Sequence, residues 1–132
     1  MDSRWGYDAL KVAGILATVP LLFFNEAAQQ LLAPAALLYA AAVSADLYST
    51  SGFLKRGEKE SHPVMAYFLR RLRTFKKATV AVLLTWEAPG VVLMTALFTF
   101  AGLPVYASLT VVFTALAAVH TAAAAHNWDL LG

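Results

Sequence analysis

The chain has 132 residues, 60% of them hydrophobic and only 14% charged, whereas an ordinary soluble domain carries about 25% charged residues. That balance excludes a soluble globule, and the length suits one domain over residues 1–132 rather than a catalytic domain joined to a membrane anchor. The net charge of +2 hides a lopsided distribution: eight of the ten Lys and Arg residues lie between Lys55 and Lys77, where Glu58 and Glu60 leave a local net charge of +6. There is no cysteine, which excludes disulfides, thiolate metal sites, iron–sulfur clusters and a Cys nucleophile.

A membrane-crossing helix needs about 20 mostly apolar residues, and four stretches meet that need. The first runs from about Tyr7 to Phe24, with a kink expected at Pro20; Asn25, Glu26, Gln29 and Gln30 then mark a polar turn. Asp8 and Pro20, and the lack of a small-x-small cleavage site after Phe24, distinguish this stretch from a signal peptide. The second runs from about Leu31 to Leu54, with Pro34 in its first turn, where a missing N–H costs little. The third covers about Ala78 to Phe100. A tight turn at Gly102 and Pro104 leads into the fourth, from about Val105 to Asn127.

Between the second and third stretches, Pro63 opens a short helix in which Met65, Phe68, Leu69, Leu72 and Phe75 recur at helical spacing, opposite basic residues. This predicts an interfacial helix that could run straight into the third span, with Arg70, Arg71, Arg73, Lys76 and Lys77 facing anionic lipid headgroups or a partner protein. Basic residues favour short cytoplasmic loops. Eight of them occupy this connection and none the other two, and Arg4 and Lys11 lie near the N-terminus, so both termini and the basic loop are expected on the cytoplasmic side of the cell membrane. The fold expected is therefore an all-α, multi-pass bundle of four transmembrane helices. Small residues at steps of four, Ala36, Ala40 and Ser44 on the second helix and Ala117, Thr121 and Ala125 on the fourth, predict that these two cross closely. The third helix, rich in Leu, Val, Phe and Met, suits lipid or a larger partner.

Three ionisable residues fall inside apolar stretches: Asp46, Glu87 and His120. A charge at mid-membrane costs about 2.5 to 3.5 kcal/mol even on lenient scales, so each needs a reason. At about 1.5 Å per residue, Asp46 lies roughly 13 Å inward from Lys55 and Glu87 roughly 15 Å inward from Lys77, depths at which three helices could converge. Ser49 and Thr50 share the face of Asp46, and Asn127 lies two turns below His120, so these add polar support. His126 is six residues from His120, on another face of the helix. Pro89 and Gly90, just after Glu87, weaken the local backbone ladder.

The stretch from Asp46 to Pro63 reads Asp46-x-x-Ser49-Thr50, then Gly57-x-x-Glu60-x-His62-Pro63. It resembles the signature of an uncharacterised family of small four-helix prokaryotic membrane proteins, in which an Asp in the second span is followed by Thr and then by Gly-x-x-Glu-x-Asn-Pro; His62 stands in place of the Asn. The resemblance implies a four-helix membrane fold, and that Glu60 and His62 fold back toward Asp46.

Such a fold-back would gather Asp46, Glu60, His62, Glu87 and His120, a carboxylate and imidazole set suited to a divalent metal such as Zn. In the competing reading, Glu60 and His62 cap the helix that begins at Pro63, while Asp46, Glu87 and His120 make structural contacts between spans. Haem is disfavoured because only His120 lies securely inside a span. No Gly-x-Ser-x-Gly, His-Glu-x-x-His or phosphate-binding loop is present, and nucleic-acid binding is not expected of a juxtamembrane basic cluster. Two functions remain open. One is an accessory or structural subunit of a larger membrane complex or homo-oligomer. The other is an intramembrane metal- or proton-binding protein, whether a metal-dependent hydrolase or a cation or proton transporter.

Overall fold

A computed structural model describes residues 3–132, with the side chains of residues 6–20 and 23–132; the side chain of Arg4, expected to mark the cytoplasmic end, lies outside that set. The described residues form helices and connections, with no strand among them. Helix α1 spans Ser3–Thr18 and is followed by a 3-10 turn over Val19–Phe23. Then come α2 (Asn25–Gln30), α3 (Leu32–Lys55), α4 (Pro63–Leu72), α5 (Phe75–Val82), a π-helical turn (Leu83–Glu87), α6 (Ala88–Phe100) and α7 (Val105–Leu131). Three helices are long and apolar enough to cross a membrane: α3, α7, and the continuous helix Phe75–Phe100 that contains α5, the π turn and α6.

The first expected span departs from regular geometry near its far end. Pro20 has no N–H to donate and its ring crowds the carbonyl one turn back, so the α-helix stops at Thr18 and the chain tightens into a 3-10 turn. Asn25–Gln30, expected as a polar turn, winds into α2 instead. Its Ala28 is fully buried, and the Ala28 carbonyl accepts a hydrogen bond from the Thr110 hydroxyl of α7 at 2.7 Å.

Helix α7 is the hub, packing against α1, α2, α3 and α6. Its most extensive partner is α3, as the small residues predicted, but the face used differs from the expected one. Ala35, Ala42 and Ser49 are buried on α3, whereas Ala40 and Ser44 are exposed and the Ser44 hydroxyl donates to its own helix at Ala40 O, 2.7 Å away. On α7, Ala117 is buried and Thr121 exposed. The buried step on α3 is seven rather than four, the seam of helices crossing at a shallow angle. Close approach through a small residue is most acute between α1 and α7: a Cβ at Gly14 would lie 2.5 Å from the Ala118 Cβ.

Helix α4 begins as predicted, with His62 at the N-cap accepting from Met65 N at 3.4 Å and Pro63 in the first turn. It does not run on into the third span. Arg73 takes the left-handed conformation (φ 58°) that ends a helix, and Thr74 is extended before α5 starts. At this same end of the bundle the Tyr7 hydroxyl donates to the Asp129 carboxylate and the Arg56 guanidinium to the Leu131 carbonyl, so the start of α1 and the ends of α3 and α7 meet there.

Candidate functional site

On α3, Tyr39 and Asp46 are seven residues apart; on α7, Phe113, His120 and Asn127 keep the same step. Seven residues are nearly two full turns, so each set lies along one stripe, and the two stripes face one another across the α3–α7 seam. Glu87 arrives from the third helix. Pro89 cannot donate to the carbonyl four residues earlier, and the helix accommodates this with one widened turn over Leu83–Glu87. Glu87 closes that turn and points at α7.

The three ionisable residues meet in a row. His120 Nδ1 stands 2.7 Å from Asp46 Oδ2, and on the opposite side of the ring Nε2 stands 3.3 Å from Glu87 Oε1. The side chains of Asp46, Glu87 and His120 are 18%, 15% and 15% exposed, all of it within segments of membrane-spanning length. Each nitrogen faces a carboxylate oxygen, so the geometry calls for a proton in both gaps: an imidazolium between two carboxylates, or a neutral ring beside one carboxylic acid.

Further polar groups extend the row at both ends. Beyond Glu87, the Tyr39 hydroxyl donates to Oε2 at 2.9 Å, with its ring stacked on Phe113 at 5.4 Å between centroids. Beyond Asp46, Asn127 Nδ2 lies 3.0 Å from the Thr50 hydroxyl, 3.2 Å from the Ser49 hydroxyl and 3.4 Å from Asp46 Oδ1. Ser49 donates to the Asp46 carbonyl at 2.9 Å, and Thr50 to Asp46 Oδ1 at 3.4 Å. The structure thus brings together six residues singled out from the sequence: Asp46, Ser49, Thr50, Glu87, His120 and Asn127. Tyr39 was not among them, although its seven-residue offset from Asp46 was a usable signal.

Glu60 and His62 do not join the row. Glu60 Oε1 accepts from His62 N at 2.8 Å and His62 Nδ1 accepts from Met65 N, so both side chains are committed to the start of α4. The His62 ring meets Trp86, which lies in the π turn beside Glu87, edge-on at 6.3 Å. Among the described residues no group of three or more His, Asp or Glu side chains is arranged to hold a metal ion. The reason is visible in the row, since its two carboxylates take opposite nitrogens of one ring, whereas metal ligands must converge on one point. Arg70, Arg71, Arg73, Lys76 and Lys77 are all exposed, the first two in the last turn of α4 and the lysines in the first turn of α5.

Fold and site together define a class: a helical chain with membrane-length helices, built around a carboxylate–imidazole–carboxylate row drawn from three of them. Comparison with known proteins finds no match to a family model, a curated protein or a solved structure.

Proposed function

We propose that this chain is a multi-pass protein of the cell membrane that holds an exchangeable proton between its helices, at Asp46, His120 and Glu87. In this reading the chain crosses four times, counting α1 with its 3-10 extension, both termini are cytoplasmic, and α4 lies in the headgroup region. The likeness of the Asp46–Pro63 stretch to the small four-helix family fits the same architecture.

One observation carries the proton reading: both nitrogens of His120 face carboxylates, each from a different helix, inside apolar segments. Ionisable groups at that depth face cavities or one another and serve relays in many membrane proteins. A proton can shift along such a row without any backbone movement. Asn127, Thr50 and Ser49 lead from Asp46 toward the end of the bundle where the termini meet, which gives the proton a polar way in.

Infrared titration of the purified protein tests this. A carboxylic acid C=O band should grow and vanish with pH, and Asp46→Asn and Glu87→Gln should each alter it. A wild-type spectrum in which neither carboxylate titrates between about pH 4 and 10 overturns the reading.

A second reading, an accessory or structural subunit of a larger complex or homo-oligomer, is favoured by the third helix. Only 6% of the apolar window of Phe75–Phe100 is buried within the chain, against 44% for α7, which leaves its Leu, Val and Phe surface for lipid or another subunit. Purification from the native source in mild detergent should then yield a particle heavier than the 14.2 kDa chain plus its detergent. A bare monomer would exclude it.

A further inference from the structure

Between the basic ends of α3 and α5 lies an open groove of about 350 Å³ with apolar walls. Leu47, Tyr48 and Val80 line it on the membrane side, while Ser51, Phe75 and the stem of Lys76 line it near the ends of the two helices. Lys76 and Lys77 occupy the first turn of α5, where the N–H groups lack partners within the helix and the helix dipole is positive; Thr74 offers no side-chain cap. Two lysines on a positive helix end repel it, and they repel each other. The exposed Arg73 sits one residue before the Thr74 cap. The chain offers no acidic residue between Glu60 and Glu87 to compensate.

We propose that this groove is a binding site for one anionic glycerophospholipid. One acyl chain lies against Leu47, Tyr48, Phe75 and Val80, and its phosphate sits at Lys76 and the first-turn N–H groups of α5, with Lys77 on the same turn adding charge. A phosphate there offsets the lysine charge and the helix dipole together, which a zwitterionic headgroup with its own ammonium does less well. Membrane insertion is assumed, but the proton row is not, so failure here leaves Asp46, His120 and Glu87 untouched.

Native mass spectrometry of the full chain, released from detergent with phosphatidylglycerol or phosphatidylcholine added, tests the assignment. One phosphatidylglycerol should bind in preference to phosphatidylcholine. Lys76→Gln and Lys77→Gln, both at exposed positions that leave packing intact, should each weaken it about fivefold. Ser51→Phe, which fills the groove without altering charge, should also remove it. Arg70→Gln with Arg71→Gln removes two charges from α4, twice the loss in either lysine variant and outside the groove lining, and should leave the bound lipid in place. Equal binding of phosphatidylcholine, or a loss in the α4 variant as large as in the lysine variants, overturns the proposal in favour of general surface attraction.

Discussion

His120 is the residue on which the site turns, because among the described residues it alone bridges both carboxylates. Replacing it with alanine leaves Asp46 and Glu87 facing an emptied space, charged and largely sealed from water. Breaking a buried ion pair from one side costs about 3 to 5 kcal/mol. Tyr39→Phe keeps the ring on Phe113 and removes one hydrogen bond to Glu87, a loss of about 0.6 to 1.7 kcal/mol for contacts of this kind between membrane helices. Thermal unfolding in detergent should therefore rank the variants wild type, Tyr39→Phe, His120→Ala in falling stability, with a wide gap before the last. Equal losses would mean that the row contributes no more than any single hydrogen bond. Asp46, Glu87 and His120 were legible in the sequence because a charge in an apolar run has to be explained. Tyr39 was not, since a tyrosine in a span needs no explanation until its helix is known to face α7. Glu60 and His62 were singled out for chemistry their positions also permit as a helix cap, and spacing alone does not separate the two uses.

Helices are placed here by where small residues allow approach and where proline forbids regular winding. The four-residue rhythm of Ala36, Ala40 and Ser44 pointed to the correct pair of helices but not to the face, because alanine is so abundant in α3 that several stripes read as small. The seven-residue stripe wins because it also carries Tyr39 and Asp46 into hydrogen-bonding range of their partners. Breaks were legible as sites and not as geometries: Pro20 and Pro89 announce irregularity, but whether the turn tightens to 3-10 or widens to π depends on what the neighbouring side chains must reach. Two glycines of unlike surroundings test the approach argument. A side chain at Gly14 meets Ala118, so Gly14→Leu must push α1 off α7 and should cost about 1 to 3 kcal/mol. Gly90, helical and with nothing within 4 Å of a new Cβ, should gain about 0.4 to 1 kcal/mol on change to alanine, by restricting the unfolded chain. Melting curves of the two variants should move in opposite directions; a Gly14→Leu protein as stable as wild type would mean that α1 is not held where the structure has it.

At the scale of the whole molecule, composition revealed the helical class and the apolar lengths, because hydrocarbon permits few other ways to satisfy a backbone. It could not reveal that one helix, α7, packs against four others, since that is a property of the assembled bundle. The hub arrangement constrains topology. Tyr7 meets Asp129 and Arg56 meets Leu131, so the start of α1, the end of α3 and the end of α7 share one end of the bundle, and the α6–α7 turn, residues 101–104, lies a helix length away. If α3, the Phe75–Phe100 helix and α7 each cross the bilayer, the Lys55–Lys77 connection and the α6–α7 turn must open to opposite sides, with the former on the cytoplasmic side in the proposed orientation. The chain contains no cysteine, so single introduced thiols report without background. Glu58→Cys, in the exposed loop after α3, should react with a membrane-impermeant maleimide only in inverted vesicles. Ala101→Cys, exposed at the end of α6, should react only in intact cells. Labelling of both from one side would rule out an odd number of crossings between them, and the exchange of the two patterns would reverse the orientation while leaving the bundle intact.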